Sequence, residues 1–213
     1  MNFPAILNIL GHVIKYELLL LLIPFAVALF YGQGDASAFL YTILIMLPIS
    51  IILTRVKGKK KEIYAKEGFL TVGLAWIVIS FFGALPFVFN GAIPSFIDAF
   101  FETSSGFTTT GASILTEIQS LPKGILFWRS FTHWVGGMGF LIFILALMPS
   151  FGGNTIHLLK AESPGPTPGK IVPKIKQTAK ILYAIYFVLT VIETIFLKFA
   201  GMSWYDAIIH ALG

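Results

Sequence analysis

The sequence predicts an all-α integral membrane protein: spanning helices with a re-entrant pore helix and an extended filter loop, in the order outer helix, pore loop, inner helix. Three observations carry that expectation. Of 213 residues, 56% are hydrophobic and 12% charged, whereas a soluble domain carries about 25% charged residues. Mean hydropathy is +0.85. Five apolar stretches approach or reach the roughly 20 residues that a spanning helix needs, and between the third and fourth lies a run too short to span that leads into a hydroxyl-rich segment.

Composition also excludes functions. With no Cys, disulfides and thiolate chemistry are absent. The four His are scattered, without metal-ligand spacing. The net charge of +5 does not indicate nucleic acid, because the basic residues sit in short segments between apolar runs, as in proteins that orient themselves in a bilayer. No basic cluster precedes the first apolar stretch and no small-residue cleavage site follows it, so it does not read as a signal peptide. An intramembrane enzyme needs a nucleophile, a carboxylate pair or a metal cluster facing a cavity. The sequence offers none, so no enzymatic activity is expected.

The first expected span covers 3–30 and holds Lys15 and Glu17; the second covers 39–53 and is short. The third, 69–89, is uncharged throughout. The fourth, 125–148, contains Arg129 and His133, and the fifth, 181–200, contains Glu193 and Lys198. The segment 55–67 holds Arg55, Lys57, Lys59, Lys60, Lys61 and Lys66 against Glu62 and Glu67. Short loops rich in Lys and Arg stay in the cytoplasm. The N-terminus is therefore expected inside, the 31–37 turn and 90–124 outside, and the second basic segment, 150–178, inside again. Within it, 162–173 carries four prolines and two glycines and reads as a linker. The expected organisation is two N-terminal spans (1–54), a basic loop (55–68), one complete repeat (69–148), a linker (149–178) and the start of a second repeat (179–213).

An internal repeat supports this division. Pro94-Ser95-Phe96-Ile97-Asp98-Ala99 and Met202-Ser203-Trp204-Tyr205-Asp206-Ala207 share Ser, an aromatic, Asp and Ala in the same order. Both follow an apolar span, and the second copy stops at Gly213, so the chain reads as ending inside a second unit. The apolar part 96–101 suits a re-entrant helix, with Ser95 as its N-cap. From Thr103 to Ser113 the chain is β-branched and hydroxyl-rich, which predicts extended backbone. Non-helical backbone at membrane depth is tolerated where it lines a water-filled space. There the carbonyls around Thr109, Thr110 and Gly111 would replace the hydration shell of a monovalent cation, with glycine permitting the dihedrals required. A polar loop would share this composition; the short helix before it and the partial second copy favour the pore.

In the fourth span Gly136, Gly137 and Gly139 permit close helix packing or a bend. A nucleotide-binding glycine loop is not expected, since no strand precedes it. Arg129, near the outer end, either snorkels or faces the pore. His133 is expected to make a hydrogen bond inside the bundle, Glu193 to pair or face the interior, and Lys198 to snorkel.

The segments FFETSSGFTTTGAS, WRSFTHWVGGMGF and ESPGPTPGKIVPKIKQTAKILYAIY together resemble the Trk/Ktr potassium-uptake family, most of all its Trk-type membrane subunits, over nearly the whole chain. The resemblance implies four repeats around one pore, with two additional helices in front. It implies Thr108, Thr109, Thr110, Gly111 and Ala112 as one segment of a selectivity filter, with potassium held at Thr109 and Thr110. It further implies potassium as the transported ion without a covalent cofactor, a multi-pass location in a prokaryotic cytoplasmic membrane, a homodimer, and a cytosolic nucleotide-binding regulatory subunit facing 150–180. The second filter and later repeats of such a protein do not fall within 1–213. The alternative function is accordingly a truncated, non-conducting assembly or scaffold subunit.

Overall fold

The computed structural model describes residues 1–56, 65–139 and 172–213, and of 65 and 172–178 the backbone alone. Seven helices are described: α1 (Phe3–Tyr31), α2 (Ala36–Thr54), α3 (Ala65–Asn90), α4 (Phe96–Phe107), α5 (Lys123–Gly137), α6 (Val172–Phe199) and α7 (Trp204–Leu212). Helices α1, α2, α3 and α6 are long and apolar enough to cross a membrane. The short second apolar stretch thus becomes a full 19-residue helix.

Local chemistry explains where the elements begin and end. Asn2 caps α1 through its side chain, accepting from the Ala5 amide, and Pro4 occupies the first turn, where a missing N–H costs nothing. Gly32 ends the helix at φ +62, its N–H bonded to the Ala28 carbonyl. Pro24, Pro48 and Pro86 lie inside α1, α2 and α3; membrane helices tolerate such breaks where neighbours re-satisfy the freed carbonyls. The two short helices start alike. Ser95 accepts from the Asp98 amide and Ser203 from the Asp206 amide, so the recurring Ser-aromatic-x-Asp is a recurring N-cap.

The core lies where α1 meets α2, α3 and α5 and where α4 lies between α3 and α5. Val13, Ile14, Leu21, Phe39, Ile79, Phe87, Phe107 and Trp128 are fully buried there. Helix α7 rests on α5 and α6. Much of α6, by contrast, presents Ile181, Leu182, Phe187, Val188 and Phe196 outward.

Two expectations are corrected. The extended stretch does not begin at Thr103: α4 runs on to Phe107. The hydroxyls that argued against helix bond back along it, Thr103 Oγ1 to the Ala99 carbonyl and Thr108 Oγ1 to the Ser104 carbonyl, each at 2.7 Å, which satisfies them without leaving the helix. Within the fourth apolar stretch the described helix ends at Gly137, with Gly139 at φ +64 turning the backbone; 140–148 lie outside the described residues, as does most of the linker, whose final residues already belong to α6. Glu193, expected to pair or face the interior, is exposed and makes no ion pair among the described residues.

Candidate functional site

The site is built at the C-terminal end of α4. Once the helix stops, the amides of Thr108, Thr109 and Thr110 bond back to the carbonyls of Ser104, Gly106 and Ser105, each at 2.9 Å. The Thr108 and Thr110 hydroxyls meet at 2.8 Å. Donors are thus folded toward the helix. Among the described residues no hydrogen bond ends on the carbonyls of Thr108, Thr109, Thr110 or Gly111. These residues, with Ala112 and Ser113, are exposed.

The backbone here is left-handed at two places. Thr109 has φ +55, the one positive φ outside glycine among the described residues, and Gly111 has φ +74. For a β-branched residue this conformation is an outlier, and such strain persists only where surrounding structure enforces it. A Cβ on Gly111 would meet nothing within 4 Å. Glycine is required there by backbone shape, not by crowding.

Two glycines let α4 and α5 cross closely. A Cβ on Gly106 would collide with Thr132 Oγ1, and one on Gly136 with the Phe107 carbonyl. Gly137 faces the Tyr186 hydroxyl of α6, and Tyr183 of α6 donates to the Met138 carbonyl at 2.9 Å. Together these elements border a cavity of about 700 Å³ beside Thr108 and Thr109, walled by Gly136, Gly137, Tyr183 and Tyr186. A second cavity, of about 850 Å³, lies between Gly111, Arg129, His133 and the Asp206 and His210 of α7.

Behind the loop, Glu102 is buried although charged. Its Oε1 accepts from Arg129 Nε at 2.7 Å and from Ser113 Oγ at 3.0 Å, and its Oε2 accepts from the Ile114 amide at 3.0 Å. The start of α5 is held from elsewhere. Pro122 offers no side-chain cap. Instead Gln33 Oε1 accepts from the Lys123 amide and Asp35 Oδ2 from the Ile125 amide, while Tyr205 of α7 donates to the Lys123 carbonyl at 2.6 Å.

A family model described as a cation transport protein, TrkH, matches residues 37–212. The chain belongs to the TrkH cation transport family. It is 43% identical over 214 residues to the Trk system potassium uptake protein TrkH of Escherichia coli K12, covering 99% of this chain and 44% of that protein. An uncharacterized cation transporter of Methanocaldococcus jannaschii is 32% identical over 97% of this chain and 43% of that one. The crystal structure of the potassium transporter TrkH from Vibrio parahaemolyticus superposes with a TM-score of 0.80 at 35% identity, over all of this chain and 42% of that structure. This TrkH-family chain therefore spans less than half the length of the relatives it matches. Its fold class is that of TrkH: all-α, multi-spanning, with outer, pore and inner helices.

Set beside the residues singled out from sequence, the TrkH-type fold places Thr108 to Ala112 in one exposed loop and brings Gly136 against its base. Gly139 turns the backbone at φ +64, and its carbonyl accepts from Tyr183 of α6 at 3.3 Å. Arg129 neither snorkels nor stands free: it pairs with Glu102. His133 Nδ1 lies 3.1 Å from the Arg129 carbonyl, a hydrogen bond inside the bundle. Lys198 donates to the Met202 carbonyl. Sequence reasoning missed Glu102 and Asp35. Glu102 carried a usable signal, since a carboxylate in a short membrane helix is costly unless partnered.

Proposed function

We propose that this chain supplies one segment of a potassium-selective filter in a channel-like uptake protein. The observation that carries the reading is the loop 108–111: the amides of Thr108 to Thr110 and the Thr108 hydroxyl turned back to α4, carbonyls left unengaged, and left-handed backbone at Thr109 and Gly111. Carbonyls so released replace the water around a monovalent cation, with potassium at Thr109 and Thr110. The C-terminal end of α4 adds partial negative charge beside them. One segment does not enclose an ion. Conduction on this reading belongs to an assembly in which further filter segments face Thr108 to Ala112. The names of the relatives, potassium uptake proteins and a potassium transporter, support the choice of ion.

The same reading assigns 1–54 to two accessory spans, 69–148 to the first repeat and 179–213 to the start of the second. It places the N-terminus and both basic segments in the cytoplasm. It gives the protein a dimeric state and a cytosolic nucleotide-binding partner facing 150–180.

The test joins this chain to the remainder of Escherichia coli TrkH, in place of the part it matches, in cells lacking other potassium uptake. The chimera is expected to restore growth on low potassium. Gly111→Ser has room for its side chain but strains the backbone, typically by about 1–3 kcal/mol. Because 1.4 kcal/mol is about tenfold in affinity, the potassium-to-sodium uptake ratio should fall about tenfold at unchanged surface abundance. An unchanged ratio would make Gly111 an ordinary loop glycine.

A further inference from the structure

We propose that Glu102 is the positioning residue of this filter segment: it fixes the strand that leaves the filter and neutralises the guanidinium beside it. The inference rests on the filter reading above and deepens it. Three donors from two different parts of the chain converge on one carboxylate. Ser113 and Ile114 lie two and three residues beyond Gly111, and Arg129 belongs to α5. The Glu102 side chain is 2% exposed and that of Arg129 17%, so the pair is largely shielded from water.

Geometry gives the carboxylate two separate tasks. The first is mechanical. The loop is anchored on its upstream side by the amides of Thr108 to Thr110 bonding to α4. Downstream, Glu102 is the side chain that bonds Ser113 and Ile114 back to the same helix. With both ends tied to α4, the strained φ of Thr109 and the positive φ of Gly111 are held between two fixed points. The second task is electrostatic. Arg129 borders the same cavity as Gly111. An unpaired guanidinium there would repel a cation; Glu102 cancels that charge at 2.7 Å. A buried pair of this kind is weak evidence for stability, because desolvation offsets the attraction, but removing one partner leaves a bare charge.

Two variants separate the tasks. Glu102→Gln keeps the side-chain size but removes the charge, and its amide cannot accept from all three donors. Ser113→Ala removes the hydroxyl's bond to Glu102 and the one it accepts from the Leu115 amide, and leaves the ion pair. Hydrogen exchange of 108–116 is followed on the chain itself in lipid nanodiscs, and the rubidium-to-sodium uptake ratio in the chimera described above. Glu102→Gln is expected to speed exchange of the segment at least tenfold and to lower the uptake ratio about tenfold at normal abundance. Ser113→Ala is expected to move both in the same direction by severalfold. Exchange unchanged in both variants overturns the tether, whether or not the chimera transports. Exchange that quickens while the ratio holds in a transporting chimera overturns the link between tether and selectivity. A chimera that transports nothing defeats the filter reading instead, and the exchange result then still decides for or against the tether. If Glu102→Gln does not accumulate, Ser113→Ala carries both measurements.

Discussion

Thr109 sits where a β-branched residue is least at ease. At φ +55 its side chain crowds its own backbone, and the surrounding bonds, the amide to Gly106 and the clasp of Thr108 with Thr110, hold it there. The conformation therefore costs free energy, on the order of 1–3 kcal/mol. Glycine adopts it freely, although it loses more freedom on folding. Thr109→Gly should then leave stability unchanged or raise it by up to about 1 kcal/mol, read as the thermal midpoint in detergent. It should also lower the potassium-to-sodium uptake ratio of the chimera, because the loop becomes free to leave its shape. A lower midpoint with an intact ratio would show that threonine is there for packing. Strain retained at one exposed residue, while the amides on either side bond back to α4 and their carbonyls stay unengaged, is what distinguishes this loop from a polar connector of the same composition.

At the scale of elements, the first turn of α5 depends on residues about 90 positions earlier. Gln33 and Asp35 accept its first amides, and Gly124 makes the approach possible, since a Cβ there would strike Asp35 and Ala28. Asp35→Ala should leave the buried Ile125 amide without an acceptor, a loss of about 1–3 kcal/mol. Denaturant unfolding in mixed micelles measures it, and a midpoint equal to that of the parent chain would show that the cap contributes nothing net. Such a partnership is invisible in sequence. Apolar run lengths made the spans legible, and the repeated Ser-aromatic-x-Asp made the starts of α4 and α7 legible, because both are local patterns. The end of α4 was not, since hydroxyl-rich composition favours strand until Thr103 and Thr108 find carbonyls four residues back. Glu102 and Arg129, 27 residues apart, were joined only by the crossing of α4 and α5, which Gly106 and Gly136 permit. Thr109 and Gly111 could be singled out in advance within the hydroxyl-rich stretch, while the left-handed φ of Thr109 required the fold.

For the whole molecule, sidedness follows from charge. The basic stretch 55–67 is expected in the cytoplasm and the α1–α2 turn outside. The absence of native cysteine makes the check clean. Ser37→Cys, exposed at the start of α2, should react with an impermeant thiol reagent added to intact cells, and Lys60→Cys should not until the membrane is opened. The reverse pattern would invert the assigned topology. The arrangement of α1, α2 and α5 also has a temporal side. A ribosome delivers the Gln33–Asp35 turn long before Lys123 and Ile125 emerge. The acceptor is thus synthesised ahead of the donors it receives, and the α1–α2 hairpin already exists when the helix whose first turn it caps is made.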